Sequence, residues 1–197
     1  MLEKELATLE NARPEPRVRP SSLPFFQQEW RDARQRVFRM DNTIGPLELF
    51  PRLARFMHWT NDDKEQHRLE LGQELANYID VEHGTVEGLR DILRQYNERK
   101  GKIRWLEEDI AAMSSTACKR LINKQIHVNI NDYTSGSDRQ FDSYQHLKAH
   151  TLRNNRFFPL EAAKANGLTA ILLKNFSGKK GRGGEVELSA LMGDLVV

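Results

Sequence analysis

"KQIHVNINDY", residues 124–133, is the stretch on which the fold turns. Ile126, Val128 and Ile130 alternate with Gln125, His127 and Asn129. A period of two sends alternate side chains to opposite faces, which is the pattern of a half-buried strand. The chain therefore changes character near residue 124, from helical periodicity before it to a mixed pattern after it. Downstream, "LTAILLKNF" (168–176) reads as a buried apolar strand and "EVELSAL" (185–191) alternates again. "SGKKGRGG" (177–184) between them predicts a C-terminal β-hairpin with a long glycine-rich connection. Residues 139–152 and "LEAAKANG" (160–167) are predicted helices, the second ended by Gly167 as a left-handed cap.

Upstream, the reading is helical. Residues 2–10 have helical spacing, and "NARPEPRVRPSSLP" (11–24) then places four prolines in 14 residues. Proline lacks a backbone donor and clashes inside helices, so this is an arm or linker, carrying Arg13, Arg17 and Arg19. Phe26, Trp30, Ala33, Val37 and Met40 fall three or four apart and predict one helix face, with Arg31, Arg34, Arg36 and Arg39 around the rest. A helix interrupted near Pro51 follows over 46–59, with Leu49, Leu53, Phe56 and Met57 inward. Thr60 or Asn61 caps the next one, whose first turn is acidic. Residues 85–98 (with Thr85 as cap), 103–113 and 115–124 are further helices. The expected fold is thus α+β and mainly α. An N-terminal helical bundle precedes a smaller part with about three strands, including the C-terminal hairpin. The divisions are an arm at 1–24, a helical domain at 25–118 and a basic α+β region at 119–197.

"ELANYIDVEHGTVEGLRDIL" (74–93) raises a functional question. Leu75, Ala76, Ile79, Val81, Val86 and Leu89 stand in the register of a helix-turn-helix, with Ala76 as the small contact residue. Asp80 occupies the left-handed turn position where glycine is commonest. Over about 20 residues the stretch resembles the helix-turn-helix of phage and bacterial regulators, which implies a DNA-reading second helix. Its charges argue otherwise. Glu82 and Glu87 stand where phosphates would lie, and positive groups come later, at Arg90 and Arg94. An ordinary pair of antiparallel helices accounts for the pattern as well.

Net charge is only +2, but it is unevenly placed. Residues 61–110 hold 8 basic and 13 acidic side chains, whereas residues 119–182 hold 12 and 4. A basic C-terminal region suits an anionic partner. Lys179, Lys180 and Arg182 lie in the glycine-rich loop, where the backbone can approach phosphate closely. Lys148, Arg153 and Arg156 stand beside Phe157 and Phe158, a basic-aromatic mixture of the kind single-strand binders use. His146 and His150 sit one turn apart with Asp142 a turn earlier, a weak metal-ligand spacing that lacks a fourth group. Cys118, the single cysteine, reads as a small buried thiol and excludes an intramolecular disulfide. No nucleophile elbow or paired-carboxylate motif stands out, and no cofactor or metal is expected.

The sequence thus predicts a non-enzymatic nucleic-acid-binding protein that contacts phosphates through Lys148, Arg153, Arg156, Lys179, Lys180 and Arg182, with Arg90 and Arg94 of the helical hairpin assisting. The alternative is a helical scaffold or homo-oligomer that buries the aromatics around Trp30, Phe56 and Trp59 against a partner protein. The N-terminus has no apolar signal-like run and no stretch approaches the ~18 apolar residues of a membrane span, so a cytoplasmic protein with no membrane partner is expected.

Overall fold

The structure, a computed structural model, describes residues 15–100, 105–137, 139–164 and 167–174. Among these residues there are ten α-helices, a 3₁₀ turn at Pro20–Ser22 and no β-strand. One isolated antiparallel bridge joins Arg31 and Val37. The helices are α1 (Pro24–Gln27), α2 (Pro46–Phe56), α3 (Asn61–His83), α4 (Val86–Lys100), α5 (Glu107–Ala112), α6 (Ser115–Gln125), α7 (Ile130–Thr134), α8 (Tyr144–Arg153), α9 (Leu160–Lys164) and α10 (Gly167–Lys174). None of these helices is long and apolar enough to cross a membrane.

The α+β expectation is overturned in the described residues. "KQIHVNINDY" is the end of one helix, a short extended link and the start of another. Helix α6 runs through Gln125, and α7 begins at Ile130. Between them Ile126 and Val128 are buried, which produces the alternation. Asn129, expected on the wet face, is 1% exposed. Its side-chain oxygen accepts from the Asn131 and Asp132 amides and caps α7, so a local side-chain acceptor ends the extended run. Five alternating residues do not separate a strand from a link between helices.

"LTAILLKNF" fails for a related reason. As far as it is described, it is α10, with Leu168, Leu172 and Leu173 buried and the helix packed against α3, α6 and α9. A short, wholly apolar run looks the same in a buried strand and a buried helix. Gly167 opens α10 and does not close the helix before it. The Asp80 carboxylate accepts from the Leu168 amide at 2.7 Å, satisfying one free donor of that first turn. The strand at 185–191, its glycine-rich connection and the helix at 2–10 lie outside the described residues.

The helix expected over 26–40 is also replaced. Helix α1 stops at Gln27, and residues 30–38 fold back as a tight hairpin, with Asp32 and Phe38 amides bonded to the Arg36 and Trp30 carbonyls at 3.0 and 2.8 Å. The Asp32 carboxylate accepts from the Arg34 and Arg36 amides at 3.0 and 2.8 Å and from Arg36 Nε at 2.6 Å. These local bonds outcompete helical ones, and Gln35 takes a left-handed φ of 61° to close the turn. Val37 and Met40 are consequently 44% and 37% exposed. Helix α2 continues through Pro51, with Leu49 and Leu53 buried and Phe56 and Met57 half-buried.

Of the remaining N-terminal readings, the helix expected over 103–113 is cut to Glu107–Ala112, with Leu106 extended at its cap and 60% exposed, and the helix starts at residues 60 and 85 hold. Thr60 caps α3 in a reciprocal box with Asp63. Thr85 Oγ accepts from the Gly88 amide at the head of α4. One hydrophobic cluster runs from Val18 to Leu173 and takes Leu71, Leu75 and Ile79 from α3, Leu89 and Leu93 from α4, Ile122 from α6 and Leu172 from α10. Truncating a residue such as Leu75 there costs ~2–5 kcal/mol. The proline-rich arm, where described, lies on this core. Pro16, Val18 and Pro20 are buried, and the Val18 amide donates to the Thr134 carbonyl at 3.2 Å. Gly136, at φ 80°, lets the arm pass, because a Cβ there would stand 1.9 Å from the Glu15 carbonyl oxygen.

Candidate phosphate-contacting surface

The cations named from sequence divide into three groups. Arg90 and Arg94 of α4 are committed within the molecule. Arg90 donates to Glu87 at 3.2 Å and to the Met113 carbonyl at 2.9 Å. Arg94 reaches Glu87 at 2.6 Å, Asp91 at 2.7 Å and Glu107 at 2.7 Å. Hydrogen bonds from Glu87, then Asp91 and Glu107, push the Arg94 guanidinium further up from its already high value. Arg94, then Arg90, hold the Glu87 carboxyl below its usual range. Neither arginine offers phosphate an unpaired charge.

Arg156 is committed more deeply. Its guanidinium contacts Asp132 Oδ1 through Nη1, and Glu48 Oε1 at 3.0 Å through Nη2. Asp132 is 2% exposed. Its second oxygen lies 2.7 Å from His150 Nε2, close enough to attract but off the alignment of a hydrogen bond. The Asn154 side-chain amide donates to the His150 carbonyl at 2.7 Å and lies 3.0 Å from its Nδ1. Asn129, from inside, donates to Thr151 Oγ at 2.8 Å and to the Arg156 carbonyl at 3.0 Å. This network ties α2, α7 and α8 together. Sequence reasoning missed Glu48 and Asp132, and no signal local to either residue points to the other, which lies more than eighty positions away.

Lys148 and Arg153 form the third group. Both are exposed on α8, and neither makes an ion pair among the described residues. Helix α8, YQHLKAHTLR, contains no acidic residue, and neither does α6, STACKRLINKQ. Arg120 and Lys124, one turn apart on α6, are exposed and likewise without an ion pair among the described residues. Their signal was the absence of any Asp or Glu within reach of i±3 or i±4 on the same helix. Lys179, Lys180 and Arg182 lie outside the described residues.

The helix-turn-helix-like hairpin is seen in detail. Helix α3 continues through Asp80 to His83, so Asp80 is helical, with its carbonyl accepting from the Gly84 amide at 2.8 Å. The bend falls at Gly84 and Thr85, where a Cβ on Gly84 would stand 2.3 Å from the Asp80 carbonyl oxygen. Val81 is 74% exposed, and Glu82 and Glu87 are also exposed. Asp142, His146 and His150 do not converge, and the described residues hold no group of three metal-ligating side chains. Cys118 is buried, and burial, partly offset by Arg90, pushes its thiol up.

No protein-family model matches this chain, and no curated protein and no solved structure matches it either.

Proposed function

We propose that the protein binds nucleic acid without acting on it chemically, through phosphate contacts from its C-terminal half. The observation that supports this reading is the sorting of the cations. Where carboxylates are nearby, as around Arg90 and Arg94 on α4, the arginine is consumed in ion pairs. On the acid-free helices α6 and α8, Arg120, Lys124, Lys148 and Arg153 keep their charge toward solvent. Long, flexible cations on rigid helices suit a backbone of regularly spaced phosphates, and each contact releases a counterion. Lys179, Lys180 and Arg182 extend the same sign of charge beyond α10 in sequence. In this reading the α3–α4 hairpin supports the surface and reads no bases, because Arg90 and Arg94 are paired and glutamates flank its bend.

The scaffold alternative gains nothing from the aromatics that suggested it. Trp30 and Trp59 meet edge to face at 5.2 Å, and Trp59 stacks on His67 at 4.1 Å. Both are half-buried against the core, largely on each other and on His67.

The test is a titration against single- and double-stranded DNA and RNA at two salt concentrations. Replacing Arg120, Lys124, Lys148 and Arg153 together by glutamine is expected to lower affinity for every sequence. On duplex DNA it should flatten the slope of log K against log salt by about 3–4. Unchanged affinity and slope would remove α6 and α8 from the interface.

A further inference from the structure

Residues 31–40, RDARQRVFRM, lie apart from the C-terminal basic region in sequence and carry four arginines against one acid. The acid, Asp32, is 5% exposed and is consumed in shaping the tight hairpin over 30–38. Arg31 pairs with the exposed Glu29 at 2.7 Å, and Arg36 is divided between Asp32 and the Phe56 ring. Arg34 and Arg39 are exposed and make no ion pair among the described residues. We infer that this hairpin enters the minor groove of duplex DNA, with Arg34 reaching into the groove and Arg39 meeting a phosphate at its edge. The inference rests on the nucleic-acid-binding reading and deepens it, since it adds a contact outside α6 and α8 and names the duplex and the groove.

The hairpin is held at its tip and at its root. At the tip, the Asp32 carboxylate binds the Arg34 amide and not its side chain, so the Arg34 guanidinium is left to solvent. At the root, Trp30 Nε1 donates to the Phe25 carbonyl at 3.0 Å, and the Phe38 ring lies 5.5 Å from that of Phe56 on α2. A turn already fixed in this way loses little freedom on binding. Its shape also fits. The minor groove is about 6 Å wide, too narrow for a helix but open to side chains from a tight turn. The choice of cation points the same way. All eight cations between residues 15 and 60 are arginine, whereas seven of the twelve between 119 and 182 are lysine. Either side chain neutralises an exposed phosphate. Arginine, more weakly hydrated, sheds water more readily in a narrow groove of strong negative potential. Val37 and Met40, 44% and 37% exposed beside the arginines, add apolar groups for the sugar walls and base edges of that groove. An anionic membrane would draw the same charge, but the hairpin lacks the broad apolar face that insertion there requires.

The test is a fluorescence-anisotropy titration of the full chain against three duplexes of equal length, built from A·T, G·C or inosine·cytosine pairs, with single-stranded DNA beside them. Inosine lacks the N2 amino group that guanine places in the minor groove and keeps guanine's major-groove edge. The A·T and inosine·cytosine duplexes are expected to bind alike, and about fivefold or more tighter than G·C. Arg34→Ala should bring both down to the G·C level. Thermal melting should not change, because the Arg34 side chain bonds to nothing among the described residues. Arg34→Gln, which keeps a long polar side chain, is the second variant if alanine disturbs the turn. Arg39→Ala should weaken all three duplexes evenly. An inosine·cytosine duplex that behaves like G·C would overturn the minor-groove contact, and a preference that survives both Arg34 variants would remove the hairpin from it. Equal affinity for the three duplexes, or binding to single strands alone, overturns the inference and leaves the nucleic-acid reading standing. Binding to no strand at low salt overturns both.

Discussion

Arg94 and Arg156 each serve more than one carboxylate, yet their surroundings are opposite. Arg94 meets Glu87, Asp91 and Glu107, all more than half exposed, on the outer side of α4. Arg156 meets Asp132, whose side chain is 3% exposed, and Glu48, which is mostly covered. In water, attraction between such groups is screened and offset by the freezing of long side chains. Away from water the attraction is stronger, but so is the penalty for any member left alone. The same composition of one guanidinium and several carboxylates therefore makes a surface decoration in one place and a clamp in the other. Counting ion pairs does not distinguish the two, whereas the exposure of the carboxylate does.

The widest gap between the two is expected on removing the buried carboxylate or its partner. Asp132→Ala leaves Arg156 with Glu48 and takes the carboxylate away from His150 Nε2. Arg156→Met leaves the buried Asp132 with only His150 beside it. Each should cost about 3 kcal/mol or more in urea unfolding, and the double variant should cost less than the sum of the two. Strict additivity would show that the network is solvent-screened and the contrast with Arg94 is false.

A pH dependence comes next. The folded His83 imidazole binds its proton less readily than in the unfolded chain, because burial disfavours the cation. Its stabilising contribution is therefore full above the unfolded value of about 6.5 and is lost as pH falls through the lower folded value. Unfolding between pH 7 and 5 should show this loss, and His83→Gln should reduce the slope. A slope that the variant leaves unchanged would assign the acid sensitivity to other groups. The next effect is smaller. Thr60→Ala removes the cap of α3 and should cost about 1 kcal/mol, measured by thermal melting; no change would mean that Asp63 holds the helix start without it. The smallest effect is that of Arg94→Gln, for which Tm should not move beyond scatter at moderate salt. A clear drop would raise Arg94 from decoration to clamp.

The segments that were legible share a feature. At Thr60–Asp63 and at Thr85–Gly88 the groups that start the helix lie within three residues of each other. Leu75, Ala76 and Ile79, placed from the sequence in a helix-turn-helix register, are buried on the long helix α3. The segments that misled were short or had a local competitor. Asp32 turned an apparent amphipathic helix into a hairpin, and Asn129 turned an apparent strand into a helix cap. Both are side chains whose hydrogen bonds to nearby amides carry no trace in a hydrophobic pattern.

Of the proposed phosphate-contacting surface, the excess of positive charge after residue 119 was readable from the order of residues alone, because net charge adds up regardless of fold. The order of residues likewise determined the start of the long helix, from Thr60 and the acidic turn after it. Which cations remain available was decided only in three dimensions. Arg156 looked like Lys148 and Arg153 in sequence, and Asp132, twenty-four residues away, removed it. The choice between strand and helix for the apolar run after Gly167 was also tertiary. It is settled by the walls of α3, α6 and α9 around it and by the Asp80 carboxylate at its first turn. Burial on all sides erases the periodicity that would have declared the helix, and a capping group eighty-eight residues away lies beyond any local pattern.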